Sequence, residues 1–456
     1  MKRALLIVFA IALAGVLIAN RSEAVFGADS SGYLNLARML DRGETTRPLP
    51  VACSDCEPHW LTPIGFVSRG DRMASYYPIG LPIHLGLFAR IGGWAHAPFL
   101  VNPLAGVVLV LLTFWLGRRL HSDLAGLVAA LLMGFCAVFV FQAVQPMSDV
   151  LAAMWSVAAL AAAVRPAAGG PADRRSALLS GFCFGVAVLV RPTSVLTIVP
   201  IVFVMRPAFR RVVWFVLGGI PAAVILGWYN FEVFGSLVVS GYEAVGATRD
   251  FAFSYFAPRA LHYARWTVEQ FSPIAIVAAI GGLVISKERW MLTSWIGAFF
   301  VFYSFYFWYD EWWYTRFLLP AFPAIAIAAG IAFARLVERW RIAGVLLIVV
   351  ALTWEARQLA RFNVLWTDED QALSRVPVEW AARALPPRSL VFSMEFSGAL
   401  VYYSEHRPVR WDLAPAKIPI EPRYALLMQH EEEPFLAKYT RFRRVRTVGG
   451  GTLYAY

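Results

Sequence analysis

Apolar residues in this chain come in long runs, and they rarely alternate with polar residues as they do along a solvent-facing strand. A helix needs roughly 17–25 apolar residues to cross the ~30 Å hydrocarbon core of a bilayer. Runs near this length predict a polytopic α-helical membrane protein with about 11 transmembrane helices, although several runs are short for a full crossing. The predicted spans are 4–20, 98–117, 124–142, 150–164, 177–190, 193–205, 212–229, 272–285, 291–308, 317–334 and 342–354.

The composition points to the same class of protein. Hydrophobic residues make up 59% of the 456 residues, and charged residues make up only 16%. A soluble domain with this composition would leave much of its apolar surface in water. The sequence therefore excludes an ordinary soluble enzyme.

The net charge of +11 is distributed along the chain in a pattern that indicates orientation. Lys and Arg cluster at alternate connections between the predicted spans, starting with Lys2 and Arg3, whereas the opposite short connections carry only Arg191 and Arg316. Cytoplasmic connections of membrane proteins are enriched in Lys and Arg. The pattern predicts a cytoplasmic N-terminus and, with eleven spans, an external C-terminus, and it argues against a nucleic-acid surface. The first run also suits a cleaved signal peptide, and the charge pattern is the same in either case.

Two long external loops follow from this topology, at 21–97 and 230–271. In the first, apolar residues at helical spacing over Ser30–Asp41 predict a short amphipathic helix in the membrane interface. The apolar patch Ile79–Ile91 is interrupted by proline and histidine, which predicts a re-entrant or interfacial helix. The second loop is rich in aromatic residues, which form either an interfacial belt or a groove for an isoprenoid chain or a sugar.

The tail differs from the rest of the chain. Residues 355–456 carry 14 Lys and Arg against 12 Asp and Glu and contain no membrane-length run. This predicts a small external α/β domain that follows a transmembrane domain over residues 1–354. The predicted elements are strands at Ser389–Met394 and Tyr424–His430, a helix at Ser397–Ser404, and a turn at Gly449-Gly450-Gly451 between two final strands.

The four cysteines divide into two pairs. Cys136 and Cys183 lie inside predicted spans, where inert buried thiols are expected. Cys53 and Cys56 lie in the first external loop, and a disulfide between them is the plain interpretation in an oxidising compartment. A zinc site with His59 is the alternative, but the spacing supplies no fourth ligand. A thioredoxin-type function would need a surrounding βαβ pattern, which the sequence lacks.

Short motifs lie at the predicted external ends of the spans. They are Ala28-Asp29-Ser30-Ser31-Gly32-Tyr33, Tyr76-Tyr77-Pro78-Ile79-Gly80-Leu81-Pro82, Gln145-Pro146-Met147-Ser148-Asp149, Val190-Arg191-Pro192-Thr193 and Arg316-Phe317-Leu318-Leu319-Pro320. Their order and shared external placement resemble the GT-C glycosyltransferases, in the branch of protein O-mannosyltransferases and bacterial aminoarabinose transferases. The resemblance covers residues 1–340 or so. Ser397–Tyr403, followed by Arg407-Pro408, is similar to the tails of bacterial members.

This resemblance implies an enzyme of the bacterial inner membrane that transfers a sugar from a polyprenyl-phosphate-linked donor to an external lipid, glycan or protein acceptor. It assigns Asp29 the role of general base, because a carboxylate can remove the proton of an acceptor hydroxyl as the new bond forms. The leaving phosphate needs a cation, and arginine binds phosphate oxygens through two parallel hydrogen bonds. The candidate substrate-binding residues are Asp149, Arg191, Arg316, Tyr77 and His84.

The two acids also have a plain structural interpretation. Asp29 could cap a helix that begins at Ser30, a role that Asp often fills, and a cap would weaken it as a base. Asp149 is equally suited to cap the span that follows it.

The basic candidates have structural alternatives as well. Arg191 could extend toward the lipid headgroups, and Arg316 could form a salt bridge with Asp310 or Glu311. His84 lies on an apolar stretch, where a packing role is the ordinary one.

A membrane transporter or lipid flippase is the alternative function. Such proteins carry ionisable residues near mid-membrane and contain inverted repeats. Here the predicted spans are nearly free of charge, and the sequence has no evident repeat. A divalent metal ion is compatible with the resemblance, but the sequence has no clear ligand cluster, so the question of a metal stays open.

Overall fold

The computed structural model describes residues 2–164, 171–205, 209–246, 250–307, 309–365, 367 and 371–456. They group into two compact units, each assembled from three separate stretches of the chain. The first unit comprises residues 1–21, 100–226 and 248–365. The second comprises residues 22–99, 227–247 and 366–456.

Helices dominate the described residues. Short 3₁₀ helices lie at Pro58–Leu61, Ala97–Leu100, Pro192–Thr197, Phe253–Tyr255 and Trp312–Ala321, and a π-helical turn lies at Gln371–Arg375. The α-helices are α1 (Lys2–Ala19), α2 (Gly27–Asp41), α3 (Gly80–Gly92), α4 (Val101–Leu120), α5 (Asp123–Phe135), α6 (Ala137–Ala143), α7 (Ser148–Ala163), α8 (Pro171–Val190), α9 (Ile198–Met205), α10 (Phe209–Phe234), α11 (Gly241–Ala244), α12 (Phe256–Ile285), α13 (Arg289–Ser304), α14 (Phe322–Arg339), α15 (Arg341–Arg361), α16 (Val376–Ala384), α17 (Ser397–Tyr403) and α18 (Gln429–Lys438).

Six helical segments among the described residues are long and apolar enough to cross a membrane, or seven if the bent pair α5 and α6 forms one span. Each predicted span overlaps a helix, but α7 and the segment Pro192–Met205 are shorter than a full crossing. The count of eleven spans therefore stays a prediction. The six segments are Lys2–Ala19, Ala97–Leu120, Phe209–Phe234, Phe253–Ile285, Trp312–Arg339 and Arg341–Arg361.

One predicted span has the wrong shape, and the sequence analysis missed a helical segment that precedes another. The span 124–142 is not one straight helix, because α5 and α6 meet at an angle of 66°. The Gln270 side chain bridges this break, where its Oε1 accepts a hydrogen bond of 2.9 Å from the backbone N–H of Val138. Helix α12 breaks at Ser272 (φ 67°, ψ 149°), so its second part begins where the span 272–285 was predicted, whereas its first part, from Phe256, was not predicted. Pro273 causes this break, because proline disfavours helical geometry at the residue before it.

Helix α14 lies at the centre of the first unit. Of an 18-residue apolar stretch within Trp312–Arg339, 89% is buried. Gly330 lets it approach α5, since a Cβ there would lie 2.3 Å from the carbonyl oxygen of Ala125. Gly282 of α12 lies equally close to α14, since its Cβ would lie 1.8 Å from the oxygen of Ala328. Small residues allow such backbone contacts between apolar helices.

Two sheets belong to the second unit. Strands β1 (Arg47–Pro48), β2 (Phe66–Arg69) and β3 (Arg72–Ser75) form an antiparallel sheet in the order β1-β3-β2. The tail forms a mixed sheet in the order β5-β4-β6-β8-β7, in which β4 pairs in parallel with β5 and β6. Its strands are β4 (Leu390–Phe392), β5 (Arg407–Val409), β6 (Tyr424–Met428), β7 (Arg443–Val448) and β8 (Gly451–Ala455).

The tail sheet is covered on both faces. Val391, Leu426 and Leu453 belong to one buried cluster, which also contains residues of α16 and α17. Residues next to these three in the sequence belong to a second buried cluster, which also contains Leu61 of the first loop. Successive side chains of a strand point to opposite faces, so the two clusters lie on the two sides of the sheet.

The predicted secondary structure of the tail is confirmed in outline. Strands β4 and β6, helix α17 and the glycine turn between β7 and β8 all lie where they were expected. The compact unit that contains the tail also contains residues 22–99 and 227–247. A separate external domain over 355–456 stays a prediction.

Helices α2 and α3 differ in detail from the expected ones, and their placement at the membrane interface stays a prediction. Most of α2 is buried on every side, from Ser30 to Ala37, so it is not amphipathic. Helix α3 runs without interruption, because Pro82 lies in its first turn, where a missing backbone N–H costs no helical hydrogen bond. The second external loop is also partly helical, since α10 continues to Phe234 and α12 begins at Phe256.

Candidate active site

Asp29 lies in the first turn of α2, which begins at Gly27, three residues earlier than predicted. The residue at the N-cap position is Phe26, whose backbone N–H donates 2.7 Å to the hydroxyl of Ser30. The expectation that Asp29 caps a helix starting at Ser30 is therefore wrong. A carboxylate in the first helical turn is stabilised in its charged form by the helix dipole. Asp29 is half-buried, and it lies at the end of a buried helix.

Four tyrosines pack together next to this acid, and we call Tyr33, Tyr76, Tyr77 and Tyr242 the tyrosine cluster. The ring of Tyr77 lies 4.6 Å from that of Tyr33 and 4.4 Å from that of Tyr76, and the edge of Tyr242 meets it at 6.0 Å. Burial, and then the nearby charge of Asp29, raise the pKa of Tyr77 well above its usual value. Tyr77 therefore keeps its proton and can donate a hydrogen bond beside Asp29.

Two glycines allow this close packing. A Cβ on Gly32 would lie 2.3 Å from Cδ2 of Tyr77, and a Cβ on Gly241 would lie 2.2 Å from the carbonyl oxygen of Tyr76. Gly32 is on α2 and Gly241 begins α11, so the helix of Asp29 and the second external loop both press against the Tyr76-Tyr77 pair. Nothing in the sequence distinguished Tyr242, one aromatic residue among many in its loop, as a member of this cluster.

The tail motif that resembles bacterial relatives packs against α2. Asn35 of α2 donates 3.0 Å to the carbonyl of Gly398, and a Cβ on Gly398 would lie 2.3 Å from that of Ser31. The hydroxyl of Tyr403 donates 3.0 Å to the carbonyl of Glu23, just before the helix. Helix α17 therefore positions the helix that carries Asp29.

In the first unit, Asp149 and Arg191 form a buried ion pair. Nη1 of Arg191 lies 2.6 Å from Oδ1 of Asp149, and the two side chains are 13% and 2% exposed. The hydroxyl of Ser148 accepts a second hydrogen bond from Nη1 at 3.3 Å. Asn102 fixes the turn that carries these groups by donating to the carbonyls of Gln145 and Met147. Asp149 therefore serves as a counter-ion in the first turn of α7, and Met147 occupies the cap position.

Phe317 lies near both predicted arginines, Arg191 and Arg316. The guanidinium carbon of Arg191 lies 5.3 Å from the centre of the Phe317 ring, and that of Arg316 lies 5.5 Å from it. The ring of Tyr303 stacks on Phe317 at 5.1 Å, and its hydroxyl donates 2.7 Å to that of Thr193. The two arginines thus flank one aromatic ring.

A third arginine, Arg259, was missed by the sequence analysis. It is fully buried near the start of α12, donates 2.8 Å to the hydroxyl of Tyr263, and has an Nε without a hydrogen-bond partner among the described residues. Tyr263 also lies within electrostatic reach of Arg191. The sequence analysis did not single out Arg259 because it lay in the predicted aromatic loop 230–271.

The remaining predicted residues make contacts within their own segments, and a substrate-binding role of His84 stays a prediction. Nδ1 of His84 lies 2.8 Å from the carbonyl oxygen of Gly80 in its own helix, and burial lowers its pKa, which fits the packing role. Cys53 and Cys56 are joined by a disulfide. Among the described residues, no group of three or more His, Cys, Asp or Glu side chains is arranged to hold a metal ion.

Comparison with known proteins places this geometry in a fold family. Residues 77–227 match the family model of dolichyl-phosphate-mannose-protein mannosyltransferases, a stretch that includes Tyr77, Asp149 and Arg191. No curated protein sequence matches the chain. The crystal structure of ArnT from Cupriavidus metallidurans in the apo state superposes with a TM-score of 0.64 at 16% identity, covering 100% of this chain and 98% of ArnT. The chain has the GT-C fold.

Two other GT-C structures support this assignment. The oligosaccharyltransferase of Archaeoglobus fulgidus has a TM-score of 0.58 at 12% identity, covering 96% of this chain and 71% of its own. The arabinofuranosyltransferase AftD from Mycobacteria has a TM-score of 0.57 at 13% identity, covering 100% and 40%. The resemblance read from the motifs is confirmed, as is the class of polytopic helical membrane protein.

Proposed function

We propose that this chain is an integral-membrane glycosyltransferase that transfers a sugar from a polyprenyl-phosphate-linked donor to an external acceptor hydroxyl. The observation that carries the proposal is Asp29, an acid in the first turn of a buried helix beside the tyrosine cluster, in a chain with the GT-C fold. ArnT, whose structure was also solved bound to undecaprenyl phosphate, supports the class of donor.

In this proposal Asp29 is the general base. The acceptor oxygen forms a bond to the anomeric carbon while the bond from that carbon to the phosphate oxygen breaks. The proton of the acceptor hydroxyl moves to the Asp29 carboxylate, and polyprenyl phosphate leaves with the electron pair. The protonated hydroxyl of Tyr77 would orient the Asp29 carboxylate or the acceptor by donating a hydrogen bond.

Arg191, Arg316 and Arg259 would stabilise the leaving phosphate. Three arginines of one unit lie beside aromatic rings, and Asp149 is the counter-ion of Arg191. Arginine is suited to this role because its planar fork matches phosphate oxygens. The membrane location follows from the fold, and we propose the bacterial inner membrane with the tail outside from the Lys and Arg pattern.

Reconstituted protein provides the test. Liposomes containing the purified chain receive radiolabelled undecaprenyl-phosphate mannose, glucose or 4-amino-arabinose together with an envelope extract as acceptor, with and without EDTA. We expect label to leave the lipid and appear in the acceptor fraction in proportion to released undecaprenyl phosphate. Transfer that survives EDTA would assign the chemistry to the side chains alone, whereas its loss would add a divalent ion to the proposal. Donor that stays intact while label enters the vesicles would overturn the proposal in favour of a transporter.

A further inference from the structure

A polar cavity lies in the second unit, and none of the four residues of the tyrosine cluster lines it. It has a volume of about 480 Å³, which falls in the range of ligand-binding clefts. Its walls come from α2, from the first-loop sheet and from the tail around α17 and β5. Asn35 and Arg38, which line it, follow Asp29 on α2 by six and nine residues, or ~9 and ~14 Å along the helix axis. The cavity is thus built on the same helix as the proposed base.

The cavity is strongly basic. Five arginines line it against one glutamate among the described residues, namely Arg38, Arg42, Arg47, Arg388, Arg407 and Glu405. Glu405 pairs with Arg388 at 3.2 Å, where both side chains are exposed. The other four arginines of the lining have no acidic residue beside them in that lining, so the cavity keeps a net positive charge. Such a cavity selects ligands that carry negative charge.

One buried polar atom in the cavity walls, Nδ1 of His406, has no hydrogen-bond partner among the described residues, and the residue is only 5% exposed. The hydroxyl of Tyr402, a residue that is 4% exposed, lies within hydrogen-bonding reach of Arg38, which leaves its own proton available to a ligand. Buried polar groups are normally paired, and an unpaired one costs free energy. A ligand that brings a hydroxyl group into the cavity would satisfy the His406 nitrogen.

The chemistry of these atoms defines what the ligand offers. Burial raises the pKa of Tyr402, although Arg38 opposes it, so the phenol keeps its proton and donates. Burial lowers the pKa of His406, which leaves the ring neutral. When Nε2 donates to the carbonyl of Ala381 at 3.3 Å, Nδ1 is an acceptor. The cavity therefore presents a donor, an acceptor and several cations.

We propose that this cavity binds an anionic saccharide, a glycan that carries phosphate or carboxylate groups, as the acceptor of sugar transfer. The arginines bind the anionic groups, and Tyr402 and His406 bind sugar hydroxyls. The guanidinium of Arg38 lies 3.5 Å from the Tyr402 ring and donates to the carbonyl of the same residue, so the cation and the phenol are held together. The acceptor role rests on the function proposed above, whereas the binding itself does not.

Binding measurements on the purified full chain test this inference separately from catalysis. The Asp29→Asn variant is titrated with maltose 1-phosphate, digalacturonic acid, neutral maltose and inorganic phosphate, and the affinities are measured by calorimetry. We expect at least one anionic disaccharide to bind about tenfold or more tightly than maltose and phosphate, because charged hydrogen bonds are stronger than neutral ones. Added salt should weaken this binding.

Variants locate the binding in the cavity. Arg42→Gln with Arg407→Gln should lower the affinity for the anionic disaccharide by about tenfold or more, since two charge-assisted contacts are lost. The matched control, Arg423→Gln with Arg443→Gln, removes two exposed arginines of the same tail outside the cavity and should leave it unchanged. Tyr402→Phe should weaken the binding of maltose and of the charged disaccharides alike, because it removes one hydroxyl contact.

The inference is wrong if neither anionic disaccharide binds better than maltose, if inorganic phosphate binds as tightly as they do, or if the control pair has the same effect as the cavity pair. Sugar transfer that fails while anionic disaccharides still bind would overturn only the proposed function. Sugar transfer that works without such binding would overturn only this inference.

Discussion

Substituting either partner of the Asp149–Arg191 pair should separate its structural role from its proposed role in phosphate binding. The two groups lie 2.6 Å apart and are almost entirely buried. Removing one partner of a buried pair leaves an uncompensated charge and costs about 3–5 kcal/mol of stability. Arg191→Met should be the more costly change because Asp149 is the more buried partner, whereas in Asp149→Asn the amide oxygen and Ser148 can still accept from Arg191.

The double variant should recover much of the loss, because no unpaired charge remains. Melting temperatures of the parent, the two single variants and the double variant in detergent measure this recovery. Arg118 and Asp123 provide the matched control, a pair at 2.7 Å with side chains 40% and 37% exposed, for which the same substitutions should cost only about 0–1 kcal/mol.

Binding of undecaprenyl phosphate, measured by native mass spectrometry, distinguishes the two roles. Arg191→Met and the double variant should lose most of the binding, whereas Asp149→Asn should retain it because the guanidinium is still present. The reasoning is refuted if the double variant is as unstable as the sum of the single variants, or if Asp149→Asn loses the lipid as completely as Arg191→Met.

Further predictions concern the tyrosine cluster, the arginine fork, the disulfide and the topology. Gly32→Ala should cost about 1–3 kcal/mol and lower transfer by displacing the Tyr77 ring, whereas Gly15→Ala, with open space around it, should do neither; melting and transfer assays show both. Because the pKa of Tyr77 is raised in the folded state, the parent should lose stability as the pH rises above about 10, and Tyr77→Phe should lose less, as melting curves from pH 7 to 11 would show. Arg316→Lys keeps the charge but not the fork, so undecaprenyl phosphate should bind less tightly than to the parent; equal binding would remove Arg316 from the phosphate site. Cys53→Ser with Cys56→Ser should retain transfer, because the disulfide joins residues only 3 positions apart and constrains little of the chain, and failure to transfer would assign the loop a catalytic role. Alkaline phosphatase fused after Tyr456 should be active, and an inactive fusion would place the tail in the cytoplasm.

The periodicity of the chain predicts its helices well, because a membrane-length apolar run has few alternatives. Each predicted span overlaps a helix, and the tail strands lie near their expected positions. The bend at Cys136 was not predicted, since a tertiary contact of Gln270 with Val138 stabilises it, and the helical segment from Phe256 to the break at Ser272 was missed. The buried helix α2 was taken for an amphipathic one because its small and polar residues, such as Ser31 and Asn35, pack against the distant tail.

The candidate site was predictable only in part. Motif order singled out Asp29, Tyr77, Asp149, Arg191 and Arg316, and the structure brings them together as two groups, one in each unit. The pairing of Asp149 with Arg191 joins residues that are 42 positions apart, a separation at which sequence spacing carries no information on contact. Arg259 and Tyr242 were hidden for the same reason, in a loop whose aromatic composition suited several roles.

The most direct test of the central claim is transfer by Asp29→Asn. Asn keeps the size of the side chain but removes the basic carboxylate, and because Asp29 is not the cap of α2, the helix should lose no more than about 0.3–1 kcal/mol of dipole stabilisation. The variant should melt close to the parent and bind undecaprenyl phosphate normally, while its turnover of labelled donor falls by a factor on the order of 10²–10⁴. Turnover at the parent rate in a folded, lipid-binding variant would contradict the claim that Asp29 is the base.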